Sequence, residues 1–277
     1  MIYKEINVQV AYEKAGAVHG KYQPRLIGYM HSDSEELKVS GKRAAVIICP
    51  GGAYQFKSDR EAEPVAMRFM AAGMQAFVLQ YSVAPSRYPC AVLELAISVA
   101  MVREYAKEWG IDPEKIFICG FSAGGHLCAS LGTLWKDEIF EQVFGTGNFS
   151  YKPSGMILCY PVITMGEFTH KESCTNLTGP DGSPEVREKL SLEKQVTADT
   201  LPTFIWHTQE DDAVPAENTL LFTCALRKYR VPFELHIYER GGHGLSLCDE
   251  TTSRNQDQIL PDNAGWIEHA IRWLKRV

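Results

Sequence analysis

The stretch Lys115–Cys128, KIFICGFSAGGHLC, decides the fold. Its first five residues form an apolar run of the length and character of a strand buried on both faces. Within a few residues of Ser122 the pattern turns helical, through Gly125, His126, Leu127, Cys128 and Ala129. Between the two, Gly120-Phe121-Ser122-Ala123-Gly124 matches G-x-S-x-G. A serine on so tight a strand-to-helix turn has its side chain pushed out at the top of a sheet. Flanking glycines let the backbone bend there without a Cβ collision. Small residues gather in many turns, so the pentapeptide alone is a weak signal. The strand before it and the helix after it make Ser122 the candidate nucleophile.

Outward from this turn the same rhythm repeats. Ala44 to Cys49 (AAVIIC) predicts a short strand stopped by Pro50-Gly51-Gly52, and Glu61 to Ala72 a helix capped by Gly73. Gln75 to Val83 predicts the next strand. Pro89 begins a long helix carried by Val92, Leu95, Ala96, Val99, Val102 and Ala106 as far as Gly110. Further strands are expected over Met156 to Tyr160, Thr203 to His207 and Phe233 to Tyr238, with helices over Ala216 to Tyr229 and Asp262 to Val277. Such alternation predicts an α/β fold: a mostly parallel sheet with helices on both faces. The first 43 residues read as peripheral strands and turns, at Ile6 to Tyr12 and Arg25 to His31. Two regions break the rhythm, Trp135 to Pro153 and Thr164 to Gln195. The second is long for an unstructured loop and follows a strand's C-terminal end, so a small cap or substrate-shaping insertion is expected at 164–195 within one domain of residues 1–277.

A serine hydroxyl attacks poorly unless a base takes its proton. Of eight histidines, His243 fits best: it lies in Gly241-Gly242-His243-Gly244, a pliable loop just past the strand ending at Tyr238. His126 sits on the helix after the nucleophile, His207 at a strand end and His236 inside a strand. The imidazole needs an acid to fix its tautomer, and the order Ser…Asp…His directs the search to Glu210-Asp211-Asp212-Ala213-Val214-Pro215. Asp211, three residues before Val214-Pro215, is the preferred acid. Asp212 and Glu210 remain alternatives.

Attack on a carbonyl creates an oxyanion that must meet preorganised N–H donors. The N–H of Ala123 is one candidate; Gly52 and Ala53, in the loop after an early strand, are the others. Tyr54 beside them is a candidate substrate contact. With Tyr81, Tyr88 and Trp135 it could offer a stacking face to a sugar or phenolic ring, though ordinary packing is the favoured reading for each.

Composition bounds the rest. The 277 residues are 45% hydrophobic and 22% charged, ordinary for a sizeable core, and the net charge is −6. That acidity argues against nucleic acid or an anionic membrane as partner. No secretory h-region and no span of roughly 18 apolar residues is seen, so the expected location is cytoplasmic. The eight cysteines include no C-x-x-C pair and sit largely in apolar runs, which suits free, buried thiols. No metal or cofactor is expected: there is no H-E-x-x-H, P-loop or dinucleotide fingerprint. Oligomeric state has no sequence signal.

Taken together, PGGAY, YSVAP, IDPEKIFICGFSAGGHL, HTQEDDAVP and GGHG resemble the esterase/lipase branch of the α/β-hydrolases. They are most similar to bacterial acetyl-esterase and acetylxylan-esterase-like (feruloyl-esterase-like) proteins. The resemblance runs from about Ala44 onward. It implies an eight-stranded sheet with Ser122, Asp211 and His243 at its C-terminal edge, and hydrolysis of small acyl esters through an acyl-enzyme. Pro50 stands where that family's loop is headed by His, and Ala53 where it has a third glycine. A serine peptidase or formamidase-like amide hydrolase shares the same triad, and a non-catalytic binding protein would share the fold.

Overall fold

Apolar runs such as Val46-Ile47-Ile48 become strands because alternate side chains enter two separate cores, one on each face of a single sheet. The computed structural model describes residues 1–32, 36 and 42–277. Its strands are β1 (Ile2–Asn7), β2 (Arg25–Met30), β3 (Arg43–Cys49), β4 (Gln75–Gln80), β5 (Ile111–Phe121), β6 (Gly155–Cys159), β7 (Thr203–Thr208) and β8 (Phe233–Tyr238). The helices are α1 (Glu63–Ala71), α2 (Cys90–Glu104), α3 (Ala123–Leu134), α4 (Glu138–Phe144), α5 (Lys171–Thr178), α6 (Pro184–Lys189), α7 (Glu217–Lys228), α8 (Pro261–Ala264) and α9 (Trp266–Leu274).

The strands form one sheet in the order β1-β2-β4-β3-β5-β6-β7-β8. β2 runs antiparallel to both β1 and β4, and every neighbouring pair from β4 to β8 is parallel. Ala45, Ile47, Ile116 and Ile118 face the core that includes Leu95 and Val99 of α2 and Leu127 and Leu131 of α3. Val46, Ile48, Phe117 and Cys119 face the other, with Val65 and Phe69 of α1 and Trp266 and Trp273 of α9. Burial on both sides is why these strands lack polar alternation.

Chain order reverses at β3. β4 lies on one side of it and β5 on the other, so the C-terminal ends of β3 and β5 open the crevice where such sheets bind ligands. Ser122 follows β5 directly, and Pro50-Gly51-Gly52 follows β3.

The expected α/β sheet is present, with local differences. The first strand is Ile2–Asn7 rather than Ile6 to Tyr12. It pairs Ile2 with Met30 through Asn7 with Arg25. The chain then leaves the sheet for a 3₁₀ turn at Tyr12–Ala15, closed by Gly16 at φ 59°. Glu61 ends a 3₁₀ turn at Asp59–Glu61 instead of opening the helix. The closing helix is divided at Gly265 into α8 and α9. Between 164 and 195 lie α5, α6 and a 3₁₀ turn at Leu192–Lys194, while Trp135 to Pro153 contains α4. All eight cysteines are free, and only Cys224 is exposed. Among the described residues no helix is long and apolar enough to cross a membrane.

Candidate active site

The turn at Ser122 is as sharp as the motif requires. Ser122 has φ 52° and ψ −117°, a conformation that costs a non-glycine residue on the order of 1–3 kcal/mol. The surrounding structure holds it there. Ser122 N–H donates to the Cys159 carbonyl at 3.0 Å, while its own carbonyl accepts from Val162 N–H at 3.1 Å. Both motif glycines answer close backbone contacts: a Cβ on Gly120 would strike the Gly124 carbonyl, and one on Gly124 the Cys49 carbonyl.

His243 and Asp211 meet this serine. His243 Nε2 lies 2.7 Å from Ser122 Oγ, and His243 Nδ1 lies 2.7 Å from Asp211 Oδ2. Asp211 is 3% exposed. Burial alone would raise its pKa. Hydrogen bonds from His207 and His243, the charge of His243 and the Val214 N–H outweigh that, holding the carboxyl well below the ordinary range. An ionised Asp211 only accepts, so His243 Nδ1 carries the proton and Nε2 is left to take one from serine. The neighbouring acids do not make this contact. Asp212 is exposed, and exposed Glu210 accepts from Gly241 N–H at 2.8 Å, anchoring the start of the His243 loop.

Beside the three residues is a cavity of about 200 Å³, in whose wall Gly52, Ala53, Ser122 and His243 sit with Phe56, Glu61, His170 and Arg254. Gly52 has φ 130°, and Ala53 and Tyr54 follow at 54° and 55°. The N–H groups of Gln55 and Phe56 both donate to the Gly52 carbonyl, so the loop closes on itself. Asn176 of α5 donates from Nδ2 to the Ala53 carbonyl at 2.9 Å. Ala123, first residue of α3, has no intrahelical acceptor for its N–H. Gly52 and Ala53 thus share a cavity wall with Ser122, and Ala123 follows that serine directly in the chain.

Tyr54 does not line this cavity. It is 2% exposed, its ring packs edge-on to Tyr81, and its hydroxyl is 3.0 Å from His126 Nδ1. His126 Nε2 is 2.9 Å from the Leu190 carbonyl, so Nε2 holds the proton and Nδ1 accepts from Tyr54. Burial pushes this imidazole down to about 4, and it stays neutral. The pair braces the loop from inside.

Several contributors have no motif. His207, fully buried, places Nε2 at 3.2 Å from Asp211 Oδ2 and 2.9 Å from the Val214 carbonyl. Buried Glu61 accepts from Gly51 N–H and from the Tyr160 hydroxyl, both at 2.7 Å. His170 and Asn176 come from the 164–195 segment, whose polar, weakly periodic sequence hides which side chains turn inward. Among the described residues, one group has metal-ligand spacing, Glu234, His236 and His269, and none of the three lines the cavity.

The sheet order, the turn at Ser122 and the approach of His243 and Asp211 define the class: an α/β-hydrolase. The BD-FAE family model matches residues 35–226, well over half the chain, and the chain belongs to that family. It is 39% identical over 233 residues to the endo-1,4-beta-xylanase B of Butyrivibrio fibrisolvens, covering 82% of this chain and 35% of that protein. It is 30% identical over 230 residues to the acetylxylan esterase of Xylanibacter ruminicola, covering 81% and 45%. The match thus spans less than half the length of either curated relative. Among solved structures, an acetyl ester-xyloside bifunctional hydrolase from Caldicellulosiruptor lactoaceticus superposes with a TM-score of 0.83 at 34% identity, over 99% of this chain and 96% of that one.

Proposed function

We propose that the chain is a serine carboxylic-ester hydrolase that removes small acyl groups, acetyl foremost, from carbohydrate alcohols. The carrying observation is the unbroken line from Ser122 Oγ through His243 to Asp211, beside a small cavity walled by the Gly52-Ala53 loop.

His243 takes the Ser122 proton as Oγ attacks the ester carbonyl, and the oxyanion is met by the N–H groups of Ala123, Gly52 and Ala53. Collapse expels the alcohol, which receives its proton from His243. Water, deprotonated by the same imidazole, then attacks the acyl-enzyme and frees Ser122. Asp211 stays ionised throughout and stabilises the imidazolium.

Two features support the substrate class. About 200 Å³ is small for a long acyl chain, and Ser58, Arg60, His170, Arg254 and Gln258 give the wall hydrogen-bonding groups suited to hydroxyls. The acetyl-ester names of the Xylanibacter and Caldicellulosiruptor proteins agree with that reading. The 164–195 segment acts as a substrate-shaping insertion, through His170 in the wall and Asn176 on the Ala53 carbonyl.

The test is a rate profile over acyl lengths from acetyl to octanoyl and over acetylated xylo-oligosaccharides, with Ser122→Ala as control. Fastest turnover on acetyl esters, abolished in the control together with fluorophosphonate labelling, is the expected result. A preference for long acyl chains, or a folded wild type inert to the label, overturns it.

A further inference from the structure

We infer that Glu61 is a positioning residue that ties the oxyanion loop and the histidine loop to one buried carboxylate; its effect on turnover rests on the esterase reading above. Glu61 is 3% exposed, and no salt bridge to it occurs among the described residues. A carboxylate removed from water in this way needs hydrogen bonds on both oxygens. Oε2 accepts from Gly51 N–H at 2.7 Å, one residue before the proposed donor Gly52. Oε1 accepts from the Tyr160 hydroxyl at 2.7 Å.

The second contact passes on to the base. Burial, and then the charge of Glu61, hold the Tyr160 phenol protonated. Its single hydrogen goes to Glu61, and its oxygen accepts from Ser246 N–H at 2.8 Å. Ser246 lies three residues beyond His243, and the Tyr160 ring stands edge-on to the His243 ring with centroids 5.2 Å apart. One side chain thus connects the turn after β3, the end of β6 and the loop after β8. There is no slack at Gly51, where an added Cβ would lie 2.7 Å from Glu61 Oε2 and 3.0 Å from Ser122 Cβ.

The partners also explain the residue type. Gly51 N–H and Tyr160 O–H are both donors, so two acceptor oxygens are required. Glutamine supplies one acceptor and sets an N–H₂ against the other partner. Glu61→Gln keeps the volume and unbalances the linkage; Glu61→Ala removes it.

Glu61→Gln, with Tyr160→Phe as second variant, tests the inference through two readouts in the whole chain. Amide hydrogen exchange at Gly51 and Ser246 reports the linkage directly. Steady-state kinetics on an acetyl ester reports its effect. We expect both amides to be protected in the wild type and to exchange faster in Glu61→Gln. Misplacement on the scale of an ångström lowers kcat about 10- to 100-fold, with KM within about threefold because Gln keeps the side-chain volume that Glu61 contributes to the cavity wall. Tyr160→Phe is expected to expose the Ser246 amide alone, with Gly51 still protected. Unchanged exchange in Glu61→Gln, or wild-type kcat in a correctly folded variant, overturns the inference. Protected amides in a wild type that never reacts with fluorophosphonate overturn the Ser122 reading while supporting the linkage.

Discussion

His207 contacts the same oxygen of Asp211 that His243 uses: His207 Nε2 lies 3.2 Å from Oδ2, and His243 Nδ1 lies 2.7 Å from it. His207 is fully buried, and Thr219 Oγ1 sits 2.8 Å from its Nδ1. Two acceptors at Nε2, Asp211 and the Val214 carbonyl, require that nitrogen to carry a proton. Thr219 in turn supplies its hydroxyl hydrogen to Nδ1. His207 therefore fixes the carboxylate without approaching the serine. His207→Ala is expected to lower stability by about 2 kcal/mol, by leaving buried partners unsatisfied. It should also reduce kcat about tenfold through a mobile Asp211. Urea unfolding and steady-state kinetics measure the two effects; full activity at lowered stability would confine His207 to the core.

The choice among the three adjacent acids has a direct kinetic consequence. Asp211 alone reaches His243, so Asp211→Asn leaves the imidazole in the wrong tautomer and is expected to lower kcat by about 10,000-fold. Asp212→Asn, on an exposed side chain, should stay within about twofold of wild type. Glu210→Gln falls between them, because Glu210 holds the Gly241 amide. An Asp212→Asn variant as inactive as Asp211→Asn would reverse the assignment.

Much of this was legible in the chain because the chemistry forces local patterns. The strained turn at Ser122 needs glycines at 120 and 124, so it leaves a pentapeptide, and strands buried on both faces leave apolar runs. The geometry at Asp211 distinguishes it from Glu210 and Asp212 in a way the spacing to Val214-Pro215 only suggested. Glu61 and His207 were not legible as site residues. Glu61 reads as an ordinary acid at a helix start, and its partners stand at positions 51 and 160. His207 reads as the polar end of a strand, although its Asp211 partner is only four residues away. Adjacency of Tyr54 to Gly52 and Ala53 likewise does not reveal that the ring turns inward to His126.

Two glycines near the site separate backbone strain from mere proximity. Gly52 has φ 130°, and a Cβ there would collide with the Phe56 carbonyl. Gly52→Ala must displace the loop, and a lost donor of this kind lowers kcat by about 100- to 1,000-fold. At Gly242, next to His243, a Cβ would meet only open space, and the residue has no positive φ. Gly242→Ala is expected to keep near-wild-type kcat. Equal losses in both variants, measured on an acetyl ester, would show that the site tolerates no added methyl group and that the φ of Gly52 is not the reason.

Buried His126 predicts a specific acid sensitivity of the fold. In the folded chain burial pushes its pKa down from 6.5 to about 4, because the ring is sealed between Tyr54 and the Leu190 carbonyl. The unfolded chain takes up that proton near pH 6.5 and the folded chain only near pH 4. Lowering the pH through this window therefore favours unfolding, while above about pH 6.5 the contribution is fully present. The linkage amounts to about 3 kcal/mol across the window. Asp211 acts below it: its depressed pKa stabilises the fold above the ordinary carboxylate value, and that contribution is lost as pH falls further. Urea unfolding of wild type and His126→Gln at intervals from pH 7.5 to 4 isolates the first effect. The variant is expected to be less stable at neutral pH, since Gln cannot reach both Tyr54 and Leu190 as the ring does. Between pH 6.5 and 4 its stability should fall less steeply than that of the wild type. Parallel curves would mean that His126 titrates normally in the folded chain, and that its burial between Tyr54 and Leu190 does not exclude the charged form.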